Sequence, residues 1–330
     1  MTLRAALTLS LTAAVLLAGC RGAEEDAAPA RSEGGDDGPV KVVYIQKNVG
    51  NPYFDAINQG FEDASKEFGF EFLSTGPATA EATSQIPFLR DQIQRRVDVI
   101  AISPNSPDAL NTIFDQARER GITVMMVNSD IPGHEAHRDL AILPMDFDLT
   151  GPSQVELLGS MIDYQGEFAI LSSTTDAPDQ NFWIEGMKEA LKDPKYAGMK
   201  LVDIVYGDDE PQKSQVEAEA LLVRHPNLRG IVAPTTVGVA SAAQVVELAG
   251  VYPGGPKAKD GGIVVTGLGS PNLMRRFVKE GVVEKFALWS PRDEGYTVPS
   301  LGDREFRANN VVITGLPLVF TAENIDEHHF

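Results

Sequence analysis

From residue 41 onward, short aliphatic and β-branched runs alternate with segments whose apolar positions recur at helical spacing. In the first half, strands read at 42–45, 70–73, 97–102 and 122–127, with helices from Pro52, from Glu81 and over 108–120. The second half repeats this rhythm, with strands at 168–171, 201–205, 230–233, 263–266 and 285–288 and helices from about Asp179, Gln212, Val237 and Asn272. Strands so continuously apolar, each followed by a helix, belong to parallel sheets covered on both faces. Two such stretches predict two similar α/β lobes, each built on a doubly wound parallel sheet. Local signals agree: Asn51-Pro52, Ser106-Pro107 and Ser270-Pro271 each set a capping side chain before a proline suited to the first helical turn. Gly69, Gly121 and Gly281 fall where helices should end.

The N-terminal residues do not share this rhythm. Arg4 precedes an apolar stretch at 5–18 that is short for a membrane span, and Leu17-Ala18-Gly19-Cys20 resembles the lipobox of bacterial lipoproteins. The resemblance implies a signal peptide at 1–19 and diacylglycerol attachment to Cys20; the plainer alternatives are a general secretory signal with a chance cysteine, or a short buried helix. Residues 21–39 carry six acids against two arginines, with glycine and proline and no apolar period, so 20–40 reads as a flexible acidic tether. The expected location is extracytoplasmic, anchored to the cell membrane by the lipid on Cys20.

Composition narrows the partners. The chain has 330 residues with 28 Lys+Arg and 47 Asp+Glu, a formal charge of −19. That length suits two domains, and that charge repels phosphate backbones, which argues against nucleic acid as a partner. Cys20 is the single cysteine, so there is neither an intrachain disulfide nor a thiol nucleophile in the body of the protein.

Ligands of open parallel sheets bind beyond the carboxyl ends of the strands, so the residues following each strand carry the information. In the first half these are Lys47-Asn48 with Asn51, Thr75-Gly76, Ser103 with Asn105, and the Asn128–Asp130 segment. In the second they are Ser172-Ser173 leading to Asp179-Gln180-Asn181, then Pro234-Thr235-Thr236, Gly267 with Gly269, and Trp289. Amides, hydroxyls and a few charges beside the rings of Tyr53, Phe54, Trp183 and Trp289 suit a sugar, whose hydroxyls donate and accept and whose C–H faces are apolar. Each residue also has a structural explanation: Asn51 and Asp179 as helix caps, Tyr53, Phe54 and Trp289 as core, Lys47 as a solvated loop charge. Two adjacent helical residues cannot both face one sheet, so one of Tyr53 and Phe54 is expected in the cleft.

Catalytic patterns are poor. His134 and His137 lack the spacing and acid of a zinc-protease helix, no Gly-x-Ser-x-Gly elbow occurs, and Gly267-Leu-Gly269 lacks the third glycine of a dinucleotide fingerprint. No phosphate loop is present, and spacing alone selects no carboxylate pair for glycoside hydrolysis. The expectation is binding without chemistry: no catalytic residues, no metal and no cofactor.

The same residues carry a resemblance to the periplasmic sugar-binding proteins of ABC importers, of the ribose-binding type, over most of residues 41–296. It rests on Ile45-Gln-Lys-Asn-Val-Gly-Asn-Pro-Tyr-Phe54, Thr75-Gly-Pro77, Asp179-Gln-Asn-x-Trp183, Val205-Tyr-Gly-Asp-Asp209, His225-Pro-Asn-Leu228, Ile231-Val-Ala-Pro-Thr-Thr-Val-Gly238 and Val265-Thr-Gly-Leu-Gly269. Within that group the chain is most similar to rhamnose-binding proteins and next to the autoinducer-2 receptor. The resemblance implies ligand contacts by Asn51, Tyr53 and Phe54, and by Lys47, Asn128, Asp179, Gln180, Pro234 and Thr236; Asn181 and Trp289 join them from the strand-end reading. Asn128 stands where the receptor has an Asp and Thr236 where it has an Ala, which disfavours autoinducer-2 and leaves rhamnose or a similar simple monosaccharide ahead.

The implied architecture is the type I periplasmic binding protein fold: a first lobe of 41–145 plus 291–310 and a second of 146–290 plus 311–330. The three crossovers are expected near Met145-Asp146, Ser290-Pro291 and Asn310-Val311. Residues 296–310 are short and interrupted by Pro299 where the family has a longer helix, so an edge of the first lobe is expected to be trimmed. The expected partners are a monosaccharide, the permease subunits of an ABC importer, and the membrane through Cys20, with the chain a monomer. A sugar-sensing transcription regulator shares the fold but needs an N-terminal helix-turn-helix. A sugar-active enzyme needs a carboxylate pair at the cleft, and a chemotaxis or quorum receptor differs only in its partner.

Overall fold

A computed structural model describes residues 38–297 and 309–330; the expected signal peptide, most of the expected tether with Cys20, and the Pro299 interruption lie outside the described residues. The first lobe is a six-stranded parallel sheet. Its strands are β1 (Lys41–Ile45), β2 (Glu71–Thr75), β3 (Val99–Ile102), β4 (Thr123–Val127), β5 (Leu140–Leu143) and, from far along the chain, β11 (Val311–Ile313), in the order β2-β1-β3-β4-β5-β11. Helices α1 (Pro52–Phe68), α2 (Ile86–Arg95) and α3 (Asn111–Arg118) connect the early strands. Strands β1 and β4 bury every residue but the first, as strands covered on both faces must.

The second lobe holds β6 (Gln165–Ser172), β7 (Gly198–Tyr206), β8 (Leu228–Ala233) and β9 (Val264–Gly267) in the parallel order β7-β6-β8-β9. A parallel bridge between Leu268 and Ala287 carries the sheet on to β10 (Phe286–Leu288), which pairs antiparallel with β12 (Leu318–Phe320). Its helices are α4 (Phe147–Gly159), α5 (Pro178–Ala190), α6 (Pro211–Arg224), α7 (Thr236–Ala249) and α8 (Pro271–Lys279). Val155, Leu158, Phe168, Ile170, Ile184 and Met187 form a core between this sheet and α4 and α5.

One expected boundary is corrected. Val311 to Ile313 pairs with Ala141 to Leu143 in the first sheet, so residues 311–313 do not begin the second lobe. The third crossover falls between β11 and β12, because the edge of β5 offers unpaired backbone groups that a returning strand satisfies. Helix α9 (Pro291–Thr297) follows the second crossing and lies across α1. Here backbone meets backbone: a Cβ on Gly60 would fall 2.0 Å from Arg292 O, and one on Gly295 would fall 2.1 Å from Ile57 O. Only glycine fits at either place.

The expected caps behave differently from one another. Asn51 Oδ1 accepts from Tyr53 N at 3.1 Å, as a cap should, and Gly69 closes α1 at φ 74°. Ser106 Oγ accepts from Ala109 N at 3.1 Å but only shapes a turn, since α3 starts at Asn111. Ser270 precedes α8 in extended backbone without capping it through its side chain.

Candidate functional site

A small cavity lies at the carboxyl ends of both sheets. The first lobe supplies Lys47 from the loop after β1, Asn51, Tyr53 and Phe54 from the start of α1, and Asn128 after β4. The second supplies Asp179, Gln180 and Trp183 from α5, Asp209 after β7, and Pro234, Thr235 and Thr236 where β8 turns into α7. Leu268, Leu288 and Trp289 close it from the side of the crossings. Ten of the eleven expected ligand residues thus share one cavity, Tyr53 and Phe54 both among them.

Asn181 is the exception. Its side chain turns from the cavity and its Nδ2 donates to Thr175 O at 2.7 Å, closing the loop ahead of α5. Residues 179, 180 and 183 fall on one helical face, and 181 lies well around the helix from them. Sequence reasoning left Trp183, Asp209, Thr235, Leu268 and Leu288 out of the ligand set, although Trp183 and Thr235 were among the strand-end residues and rings. Glu294, on α9 against the cavity wall, gave no signal beyond being a charge in the turn that follows Pro291.

The charged end of the cavity is an ion pair across the lobes. Lys47 Nζ donates to Asp179 Oδ1 at 2.5 Å, with both side chains almost wholly buried. Asn105 Nδ2 holds the lysine's backbone, donating to Lys47 O at 2.8 Å, and Gln85 is wired to the same layer through Asn105 N and the carbonyls of Gln46 and Ser103. Asn105 and Ser103 therefore form a supporting layer behind the cavity. Asp130 is likewise withdrawn from it, held by Arg138 Nε and Nη2 at 2.6 and 2.7 Å. Asp209 accepts from Thr235 Oγ1, and burial pushes its carboxyl above the usual range, opposed by that hydroxyl and by Lys47. Gln180 accepts from Ser173 Oγ, which fixes its amide.

The other end is a cluster of polar groups around one hydroxyl. Tyr53 Oη accepts from Trp289 Nε1 at 2.6 Å and lies 2.5 Å from Asn128 Oδ1 and 2.7 Å from Glu294 Oε1. Asn128 can reach it because its backbone sits at φ 68°, a left-handed conformation asparagine tolerates. Trp289 meets Trp183 edge to face at 5.8 Å, and Trp183 meets Phe147 the same way at 5.3 Å. Asn51 Oδ1, besides capping α1, also accepts from Thr236 Oγ1 of the opposite lobe at 3.4 Å. The result is donors, acceptors and ring faces turned into one small space, an arrangement that recognises a small polyhydroxylated molecule.

The periplasmic binding protein domain family matches residues 42–305, most of the chain. The chain belongs to this family. Periplasmic binding proteins act outside the cytoplasm and bind their cargo without converting it. Among solved structures, a sugar ABC transporter protein from Actinomyces odontolyticus is 35% identical over 88% of this chain and 98% of its own, with a TM-score of 0.66. An ABC transporter solute-binding protein from Clostridium phytofermentas, solved with bound L-rhamnose, is 28% identical over 88% of this chain and 98% of its own, with a TM-score of 0.80. The D-ribose/D-allose-binding protein of Pseudomonas aeruginosa is 25% identical over 256 residues, 74% of this chain and 75% of that one. Among the described residues of this periplasmic binding protein, no helix is long and apolar enough to cross a membrane, and no group of His, Cys, Asp and Glu could hold a metal ion.

Proposed function

We propose that this protein is the lipid-anchored substrate-binding subunit of an ABC importer and captures a monosaccharide, L-rhamnose or a similar simple sugar. The observation that carries the reading is the cavity: an inter-lobe Lys47–Asp179 pair beside the rings of Tyr53, Phe54, Trp183 and Trp289. In this reading Asp179 accepts from sugar hydroxyls, Lys47 donates to them, and Asn128 and Gln180 orient the ring. Tyr53, Phe54 and Trp289 cover its apolar faces. The sugar enters between the lobes, the hinge closes on it, and the closed form is what the permease recognises. Relatives support the choice of class: one is solved with L-rhamnose, another with D-arabinose at 26% identity, and a third is named for D-ribose and D-allose.

A receptor for autoinducer-2 or another sugar-like signal is the second reading, favoured by the Lys47, Asp179, Gln180 and Pro234 set and opposed by Asn128 and Thr236. Calorimetric titration against L-rhamnose, D-arabinose, D-ribose and autoinducer-2 separates these. Heat with a monosaccharide and none with autoinducer-2 supports import, the reverse supports signalling, and silence from every ligand overturns both. For the anchor at Cys20, the expected result is that C20A leaves the membrane fraction; firm retention of C20A removes the lipid from the account.

A further inference from the structure

The hydroxyl of Tyr53 has one hydrogen and three polar neighbours. Trp289 Nε1 can only donate, so it uses a lone pair on Tyr53 Oη. Asn128 presents its oxygen at 2.5 Å, and an amide oxygen can only accept, so it takes the tyrosine's hydrogen. Nothing remains for Glu294 Oε1 at 2.7 Å to accept. The contact is a hydrogen bond only if Glu294 supplies the hydrogen.

Two further observations point the same way. Glu294 is fully buried, and its other oxygen, Oε2, has no hydrogen-bond partner, a modest cost for the carbonyl of a neutral acid and a severe one for a carboxylate. No lysine, arginine or histidine among the described residues forms an ion pair with it; Lys47 is committed to Asp179, and Arg292, its neighbour but one, turns outward to Asp63. The groups that act on Glu294 include Tyr53 from α1, Tyr44 from β1, Trp289 ahead of α9, Asp179 from α5, and Asp293 on its own helix. Both acids are negative, and the nearby cation Lys47 is taken up by Asp179. Burial chiefly, and these acids in addition, push its carboxyl well above the usual range, against the hydroxyl of Tyr53 and the indole N–H of Trp289, which favour the carboxylate.

We propose that Glu294 is a protonated positioning residue of the ligand site. Its carboxyl O–H donates to Tyr53, Tyr53 donates to Asn128 Oδ1, and the Asn128 amide is thereby held with its NH2 group, which has no protein partner among the described residues, available to the ligand. The relay gives this position of the cavity a fixed demand: the ligand must bring a hydrogen-bond acceptor, such as a hydroxyl or ring oxygen. Ionised Glu294 would take the tyrosine's hydrogen for itself, and Asn128 would have to turn its oxygen to the ligand and ask for a donor instead.

The proton can be tested without any ligand, so its failure is distinct from failure of the sugar-binding reading on which the ligand's part rests. Infrared difference spectra of wild type against E294Q at neutral pH should show the C=O band of a buried protonated carboxyl in the wild type alone; absence of that band overturns the proposal. Titration of both sugars, L-rhamnose and D-arabinose, then tests the relay. E294L, which supplies no donor, should bind about tenfold more weakly, the worth of one neutral hydrogen bond. E294Q, whose amide can donate to Tyr53 as the acid does, should recover most of that loss. E294L binding as tightly as wild type, or E294Q as weakly as E294L, overturns the relay, and thermal melts show whether either variant is folded.

Discussion

The two ends of the cavity solve the problem of burying polar groups in opposite ways. At one end a cation and an anion from different lobes neutralise each other, Lys47 against Asp179. At the other, Tyr53, Asn128 and Glu294 all belong to the first lobe, and Trp289 reaches them from the crossing beside α9. In the proposed hinge motion, the charged end would be completed only when the lobes are together, and the neutral end would stay assembled with the cleft open or shut. A ligand caught here would meet a preformed wall first and complete the charged contacts on closure.

Breaking the charged end should have the largest effect. D179A leaves the Lys47 ammonium buried without its partner and should cost about 3–5 kcal/mol of unfolding free energy in urea, besides abolishing measurable sugar binding. The double variant K47M/D179L should recover much of the stability and none of the binding; a D179A protein as stable as wild type would show that the pair is not buried in solution. Next comes the neutral end. Y53F removes the hydroxyl serving three partners and leaves Asn128 Oδ1 without its donor, an expected loss of about 1–3 kcal/mol by denaturation and a weaker sugar affinity by calorimetry.

Carboxyls with opposite shifts sharpen the contrast through pH. Surface Glu156 is held down to about 2 by hydrogen bonds from Lys195, Tyr196 and Tyr164. Its contribution is present above the ordinary value of 4.5 and is lost as pH falls toward about 2. Because its side chain is 44% exposed, screening reduces that contribution to about 1 kcal/mol or less. Glu294 has the reverse sign: its folded-state value is raised, so its contribution is greatest below 4.5 and declines as pH rises. Melting temperature against pH should flatten below 4.5 in E156Q and above 4.5 in E294Q. The smallest effect is expected at Asn181. N181A loses one bond to Thr175 O, about 0.5–1 kcal/mol, and should leave sugar affinity within about twofold, since the side chain lies outside the cavity.

Most of the fold was legible because the strands are buried on both faces and announce themselves as unbroken apolar runs. What escaped notice was short or irregular. Strand β5, the edge strands β11 and β12, and α4, which carries Pro152 in its interior, give no clean period. The ligand residues were legible for a different reason: topology sends strand ends to one place, so polar residues after strands converge without any need to know their partners. Asn181 was included because adjacency in sequence was taken for adjacency in space. Glu294 was missed because an acid after a proline reads as a solvated first turn, and nothing local reveals that α1 covers it.

The glycine crossing of α1 and α9 explains why that covering is so complete. With Gly60 and Gly295 in van der Waals contact with the opposing backbone, neither helix can roll or slide past the other. Tyr53 rides on one helix and Glu294 on the other, so the spacing between hydroxyl and carboxyl is set when the protein folds. The conformational entropy of ordering that wall is spent once, during folding, and is not charged again against each molecule of sugar that binds.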